Sequence, residues 1–324
     1  MSITSPMSRS VVALIAACTL CVHAAAQTWP DKPVRLIVNF PPGGVADTLA
    51  RAIAPGVSEA IKQPVVVENR PGANGAIGAD AVAKSPADGY TFLVSSGGAM
   101  TVDPFIYANL PYDTQKDLTP VASLAIVRVF LMVHPSVPAK NLNEFVAYAR
   151  ANPGKLSYGS AGSGSSPHIA AEMFKRAAKI EATHVPYKGA APALNDLLGG
   201  QVQFMFDPGP GLQHSATGKL TVLAVASAKR ASRYPDVPTL EELGMRVDAD
   251  TTFGVYAPAG VSAAIIDRMN KEINRTLNSP GLVDNMTRLG GEVAPLTIQE
   301  FMSRQAADRA RYGAFIKEAG IKVD

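Results

Sequence analysis

The chain has 324 residues, with 30 Lys and Arg against 27 Asp and Glu, a net charge of +3 and two cysteines. So small a net charge, without a basic run or an RNA-type aromatic motif, excludes a nucleic-acid-binding footprint. Beyond the N-terminus no apolar stretch reaches membrane length, and the length favours two domains over one.

Residues 1–26 read as a signal peptide. Arg9 supplies the positive n-region, Val11 to Val22 the apolar h-region and Ala24-Ala25-Ala26 a small-residue cleavage site. Cleavage after Ala26 is expected, in preference to lipidation at Cys18 within Ile15-Ala16-Ala17-Cys18. Export to a periplasm follows. Cys18 and Cys21 both lie in this segment, so the mature chain must hold together by burial alone.

Strand and helix patterns then alternate. Val34–Val38 reads as a strand, Asp47 to Ala60 as a helix, Val65-Val66-Val67 as a strand, Ala76–Ala83 as a short helix and Tyr90 to Val94 as a strand. The pattern restarts with a strand at Phe130 to Val133, a helix over Asn141 to Ala151 and a strand over Leu156 to Gly159. Ser166-Pro167 reads as N-cap and N1 of the next helix. A strand follows at His184 to Tyr187, then a helix from Pro192 to Leu198, and strands at Val202 to Phe206 and Leu220 to Ala226. The tail from Ser262 is largely helical, with Ile265, Met269 and Ile273 at i, i+4 and i+8. Such alternation predicts an α/β fold with parallel sheets covered on both faces. The chain is expected to leave a first lobe near Ala122–Arg128 and to return near Asp250–Gly254. Lobe 1 is then 27–125 with 254–324 and lobe 2 is 126–253, joined by a two-strand hinge with a ligand cleft between them.

Two segments repeat one design, a strand running into a glycine-rich turn that opens into a helix. The first is Phe40-Pro41-Pro42-Gly43-Gly44-Val45-Ala46-Asp47, after Leu36-Ile37-Val38. The second is Tyr158 to His168, with Gly159, Gly162 and Gly164 among Ser160, Ala161, Ser163, Ser165 and Ser166. Each aims backbone N–H groups and the positive end of a helix dipole at one point, which favours a bound anion. One such turn is an ordinary tight α/β connection. Two of them, with a third polar turn at Tyr187-Lys188-Gly189, argue for one small anion gripped from two sides. Asp47, as an anion itself, is expected to accept N–H bonds from the Gly43-Gly44 turn rather than touch the ligand, a role that asparagine would largely keep.

Other chemistry is poorly supported. His134, His168, His184 and His214 form no close pair and have no cysteine partner, which argues against a metal site. Pro167 stands where a nicotinamide fingerprint needs its third glycine, so no cofactor is expected. Ser163, Ser165, Ser166 and His168 crowd together, yet no G-x-S-x-G elbow is present, and an exported serine hydrolase is the weakest reading.

The motifs together resemble a known family. Phe40-x-x-Gly43-Gly44-x-x-Asp47 is similar to the signature of the Bug receptors, the extracytoplasmic solute-binding proteins of tripartite tricarboxylate transporters. The likeness continues through Val66 to Ala73, Asp88-Gly89-Tyr90-Thr91, Leu110-Pro111-Tyr112-Asp113, the second glycine-rich segment, His184 to Gly189 and Gly200-Gln201-Val202. It implies a two-lobed, type II periplasmic-binding fold that closes on a ligand carboxylate and delivers it to membrane subunits. It also implies a monomer that is not an enzyme, with backbone amides and hydroxyls holding the acid. The implied ligand shell comprises Pro42, Gly43, Gly44 and Asp47 from one lobe, and Ser160, Ala161, Gly162, Gly164, Ser165, His168 and Tyr187 from the other. Loops carrying Ser95, Ser96 and Gly97, and Asp207 with its following glycines and prolines, are expected to set selectivity. Asn39 stands where the family usually has proline, and Val45-Ala46 replace residues that are often polar. A sensor that docks on a membrane kinase ectodomain needs the same ligand-dependent closed shape, so the sequence leaves it open beside transport.

Overall fold

The computed structural model describes residues 29–323, and the signal segment with Cys18 lies outside them. The chain builds two mixed sheets. The first is formed by β1 (Val34–Val38), β2 (Val65–Asn69), β3 (Thr91–Ser95), β4 (Leu118–Val127), β10 (Thr251–Pro258) and β11 (Glu292–Val293), in the order β11-β4-β10-β3-β1-β2. The second is formed by β5 (Phe130–Val133), β6 (Ser157–Ser160), β7 (Thr183–Pro186), β8 (Phe204–Asp207) and β9 (Thr221–Val225), in the order β7-β6-β8-β5-β9.

The expected parallel pairing holds for β2-β1-β3 and for β7-β6-β8. It does not hold where the chain passes between the sheets. β10 runs antiparallel to both β3 and β4, and β5 runs antiparallel to both β8 and β9. The reason is topological: a chain that exits along β4 and returns along β10 must run in opposite directions on the two strands. The crossings lie at Arg128-Val129 and just before Thr251. Residues 126–127 and 251–253 therefore belong to strands of the first sheet. The two passing segments are tied together, since Ala226 N–H donates to Val129 O at 2.9 Å and Ala249 N–H donates to Ala226 O at 3.0 Å.

Eight helices of two turns or more cover these sheets among the described residues: α1 (Val45–Ile61), α2 (Ala76–Ala83), α3 (Leu142–Ala151), α4 (Ser166–Ala178), α5 (Ala190–Leu198), α6 (Ala263–Leu277), α7 (Pro280–Arg288) and α8 (Ile298–Ala319). Both faces of each sheet are covered, which is why the strands read as unbroken apolar runs. Along β1, Leu36 and Val38 join a core with Leu49 and Ile53 of α1 and Met269 of α6, whereas Ile37 joins the opposite core with Ala79 of α2 and Phe301 of α8. In β5, Leu131 and Val133 pack with Phe145 of α3 and Phe174 of α4, while Phe130 and Met132 pack with Leu194 and Leu197 of α5. Each sheet thus has its own cores. No described helix is long and apolar enough to cross a membrane.

A smaller cluster bridges the two. Val102 and Ile106, from the turns after β3, pack with Ile169 of α4 and with Tyr312 and Ile316 of α8. Arg176 of α4 reaches Glu318 of α8 at 3.2 Å beside it.

Candidate ligand site between the lobes

β1 carries the chain into the first turn. Asn39, in the position where proline was anticipated, is fully buried and donates through Nδ2 to Gly75 O at 3.1 Å and Ser95 Oγ at 2.9 Å. Its amide therefore ties three connections together. Gly43 adopts φ +80°, a conformation only glycine enters without strain, and its N–H donates to Asp47 Oδ2 at 2.9 Å. Asp47 Oδ1 also accepts from Asn69 Nδ2 at 2.9 Å and from Arg51 Nε at 3.0 Å. Burial alone would raise this carboxyl, but the bonds from Arg51, Gly43 and Asn69 together hold it below its ordinary value. Asp47 thus clamps the turn from behind. Asn69 and Arg51 are partners that the sequence reading did not assign.

The second turn is organised by histidine. Ser165, not Ser166, is the N-cap of α4, and Pro167 sits one residue further into the first turn than expected. Ser165 N–H and its hydroxyl both donate to Gly162 O, at 3.1 and 2.6 Å, which fixes the start of the helix. Gly164 N–H donates to His168 Nδ1 at 3.0 Å. His168 stacks on His184 at 4.1 Å, and His184 Nε2 meets Ser160 Oγ at 2.7 Å. Burial lowers the pKa of His168 to about 4; burial, with His168 alongside, lowers that of His184 to about 3. Both rings are neutral supports of the turn. Ser160 has no exposure at all, so its contact with His184 does not make an accessible nucleophile.

A cavity of about 120 Å³ lies between the lobes. Three helix N-termini reach it: Gly44 to Ala46 of α1 from one side, Ser165 to Pro167 of α4 and Gly189 to Ala191 of α5 from the other. The first-turn N–H groups of a helix have no intrahelical acceptor. Each such terminus is worth roughly 0.3–1 kcal/mol to a nearby anion, and up to about 2 kcal/mol where partly buried. Phe40, Pro41, Pro42, Pro208 and Phe253 complete an apolar wall, and Ser96 and Ser166 supply hydroxyls. Among the described residues no charged side chain lines this cavity.

The anticipated residues therefore divide. Pro42, Gly44, Ser96, Ala161 and Ser165 line the cavity, and Ala161, Gly162 and Tyr187 line a larger one that continues from it. Gly43 faces a separate groove with Arg233 and Arg288. Asp47, Ser160, Gly164 and His168 lie behind the turns they support. Ser95 donates to Ser96 O at 2.7 Å, and Gly97 O accepts from Thr101 Oγ1 at 2.8 Å. Asp207 is fully buried, accepts from Gly209 and Gly211 N–H at 2.8 Å each, and is pushed up to about 6 by burial. It shapes the loop that brings Pro208 to the cavity. The turn Tyr187-Lys188-Gly189 was singled out, but the α5 terminus it leads to was placed two residues late, because its helix starts at Ala190 and not at Pro192. Gly189, at φ +117°, is the N-cap of this helix, and a proline in a first turn has no N–H to lose.

The family model for the tripartite tricarboxylate transporter family receptor matches residues 49–321. The chain belongs to this family. Protein BugT of Bordetella pertussis is 36% identical over 312 residues, which covers 95% of this chain and 96% of that one. An R. palustris structure solved with adipate superposes with a TM-score of 0.86 at 36% identity, covering 91% of this chain and 99% of that one. The periplasmic binding protein BugD superposes with a TM-score of 0.85 at 32% identity, covering 91% and 99%. The fold is thus the two-lobed α/β fold of periplasmic binding proteins, and this tricarboxylate-transporter-family receptor is a solute-binding protein rather than an enzyme.

Three measurements test the architecture of the receptor's site. Asp47 receives three donors, so Asp47→Asn, whose NH₂ would face one of them, should lose turn order nearly as Asp47→Ala does. This revises the expectation that asparagine suffices, and amide hydrogen exchange at Gly43 and Gly44 reads it directly. Gly164 has φ +85°, and a Cβ there would strike Ile106 Cδ1 across the seam and approach Asn74 Nδ2 to 3.0 Å. Gly164→Ala should therefore keep both cores yet hold the lobes apart, seen as a larger radius of gyration in X-ray scattering.

The histidine pair gives a pH dependence of definite sign. In the unfolded chain both rings take up protons near their ordinary pKa of about 6.5, whereas in the fold they stay neutral to about 4 and about 3. Stability is therefore lost as pH falls from about 6.5 toward 4. Asp207 and Asp250, both pushed up to about 6, oppose this by binding protons in the fold. The difference between parent and His184→Asn isolates the ring: denaturant midpoints of the variant should fall less over that interval. Parallel curves would remove the histidine contribution.

Proposed function

We propose that this receptor captures a small organic carboxylate in the interlobe cavity, closes on it, and delivers it to the membrane subunits of a tripartite tricarboxylate transporter. The observation that carries the reading is the meeting of three helix N-termini from two lobes on an apolar cavity with no lining cation among the described residues. A carboxylate there would draw on the first-turn amides of α1, α4 and α5 and on the hydroxyls of Ser96 and Ser166. Hydrogen bonds to a charged acceptor are worth about 1.5–3 kcal/mol each, enough for capture without the deep trap that buried arginines would create. A receptor that hands on its cargo needs such a balance. The adipate carried by the R. palustris neighbour is of this chemical class. In the same reading the segment to Ala26 directs export and is removed, and the mature protein acts in the periplasm as a monomer.

A ligand that contacts both lobes binds the closed arrangement better and shifts the population toward it. Titration with adipate and malate should give saturable heats, and saturation at a hundredfold excess over Kd should add about 2.7 kcal/mol of stability. The radius of gyration should shrink on binding. Binding without compaction or stabilisation would overturn the clamp, and absence of binding by any small di- or tricarboxylate or aromatic acid would overturn the carboxylate assignment.

A further inference from the structure

The seam between the lobes buries a carboxyl group. Asp103, which opens the short helical turn Asp103–Ile106 after β3, has no exposure at all. Its Oδ1 accepts from Asn74 Nδ2 at 2.7 Å, and its Oδ2 is buried with no hydrogen-bond partner among the described residues. A carboxylate so placed trades its hydration shell for one amide donor, and burial raises its pKa well above the ordinary value.

The cover over Asp103 comes from both lobes. Val102 and Ile106, on either side of it in the chain, pack with Ile169 of α4. Gly164, just before α4, has no side chain, and a Cβ there would lie 3.5 Å from Asp103 Oδ1 and 3.0 Å from Asn74 Nδ2. Asn74 is only half-buried, at φ +49°, and lines the larger cavity of the cleft. Parting the lobes would lift Gly164 and Ile169 away and let water reach the carboxyl.

Among the described residues no cation compensates it. Tyr107 and Tyr112 lie beside it as neutral phenols, both pushed up by burial first and by Asp103 next. Asp80 of α2, near Tyr112, is paired with Lys84 at 2.6 Å. From lobe 2, His168 accepts from Gly164 N–H and is neutral. From α8, Tyr312 turns its hydroxyl to Asp250 O, and Arg309 lies over the Phe105 ring and donates to Met100 O and Thr114 Oγ1.

We propose that Asp103 takes up a proton as the lobes close and releases it as they part, so that mild acid favours the closed receptor. This rests on the reading that the receptor opens and closes. In the open form the wetted carboxyl ionises at its ordinary value of about 3.9, whereas in the closed form the charged state is desolvated. Between the two values the closed form holds one more proton, so closure weakens as pH rises.

The test follows adipate binding by calorimetry from pH 8 to pH 6, where an acid with the ordinary carboxyl value of about 4.3 stays ionised. The parent's affinity should rise about tenfold over that range, and heats in two buffers of different ionisation enthalpy should show proton uptake on binding. Asp103→Asn keeps an acceptor for Asn74 and cannot ionise, so its affinity should be flat and its binding should take up no proton. Equal pH dependence in parent and variant, or no uptake by the parent, overturns the proton-linked closure. X-ray scattering of the ligand-free proteins separates this from the carboxylate reading. The parent's radius of gyration should fall as pH falls, while that of Asp103→Asn stays small and constant. If no acid binds, the carboxylate seat fails and scattering alone decides the proton: a parent radius that ignores pH overturns it. Both readouts on the parent hold even if the variant does not fold.

Discussion

An anion brought from water into a cavity that no charged side chain lines among the described residues must find its compensation in the backbone, and in the proposed reading that compensation comes from helix N-termini. No single terminus suffices, because each supplies only a fraction of a charge and a few amides. Three must converge. α1 belongs to one lobe and α4 and α5 to the other, so the cavity lies where the lobes meet. The separate cores, the antiparallel passing strands and the seam clusters all serve that meeting. Because one short turn joins β1 to α1 and another joins β6 to α4, sheet register fixes where each terminus points.

Much of this was legible in the sequence for a local reason. A glycine at positive φ followed by a helix start is a short-range event, and Gly43 and Gly162 announce it by composition. The cores were legible because strands covered on both faces need continuous apolar runs. What the sequence did not disclose is mostly partnership at long range. Asp47 was read correctly as a turn support, but Asn69, its partner 22 residues on, leaves no local trace. His168 was placed in the ligand shell by the family resemblance. The structure turns it inward onto His184, a contact that only the pairing of β6 with β7 creates. The α5 terminus was placed two residues late because Gly189-Ala190-Ala191-Pro192 carries no serine to mark the cap and a proline that reads as a first helical residue. Phe253 was invisible for another reason: it reaches the cavity from β10, on the returning half of the hinge.

The direction of strand pairing shows the same limit. Alternating strand and helix patterns imply parallel neighbours, and this is right wherever a helix makes the crossover. It fails for β5 and β10, which are reached by passage between lobes rather than over a sheet. Composition is the same in both cases, since Val, Phe and Leu suit either pairing. Topology decides it.

Glycines also set how close the lobes come. Gly189 lies against Pro41, with a Cβ there meeting Cγ at 3.3 Å, and Gly209 lies against the backbone of Leu289. Gly164 faces Ile106 and Asn74, and Gly98 would approach Gly164 O at 3.7 Å. These contacts join one lobe to the other, and at Gly189, Gly209 and Gly164 the absent side chain permits an approach that alanine would hinder, whereas at Gly98 an added Cβ would make only ordinary contact. The backbone therefore sets the width of the closed cleft more than any adaptable side chain does. That constraint has a chemical consequence. Prolines, alanines and glycines make up most of the first cavity's wall, beside Phe40 and Phe253, so in the proposed reading few side chains there could repack around a bulkier acid.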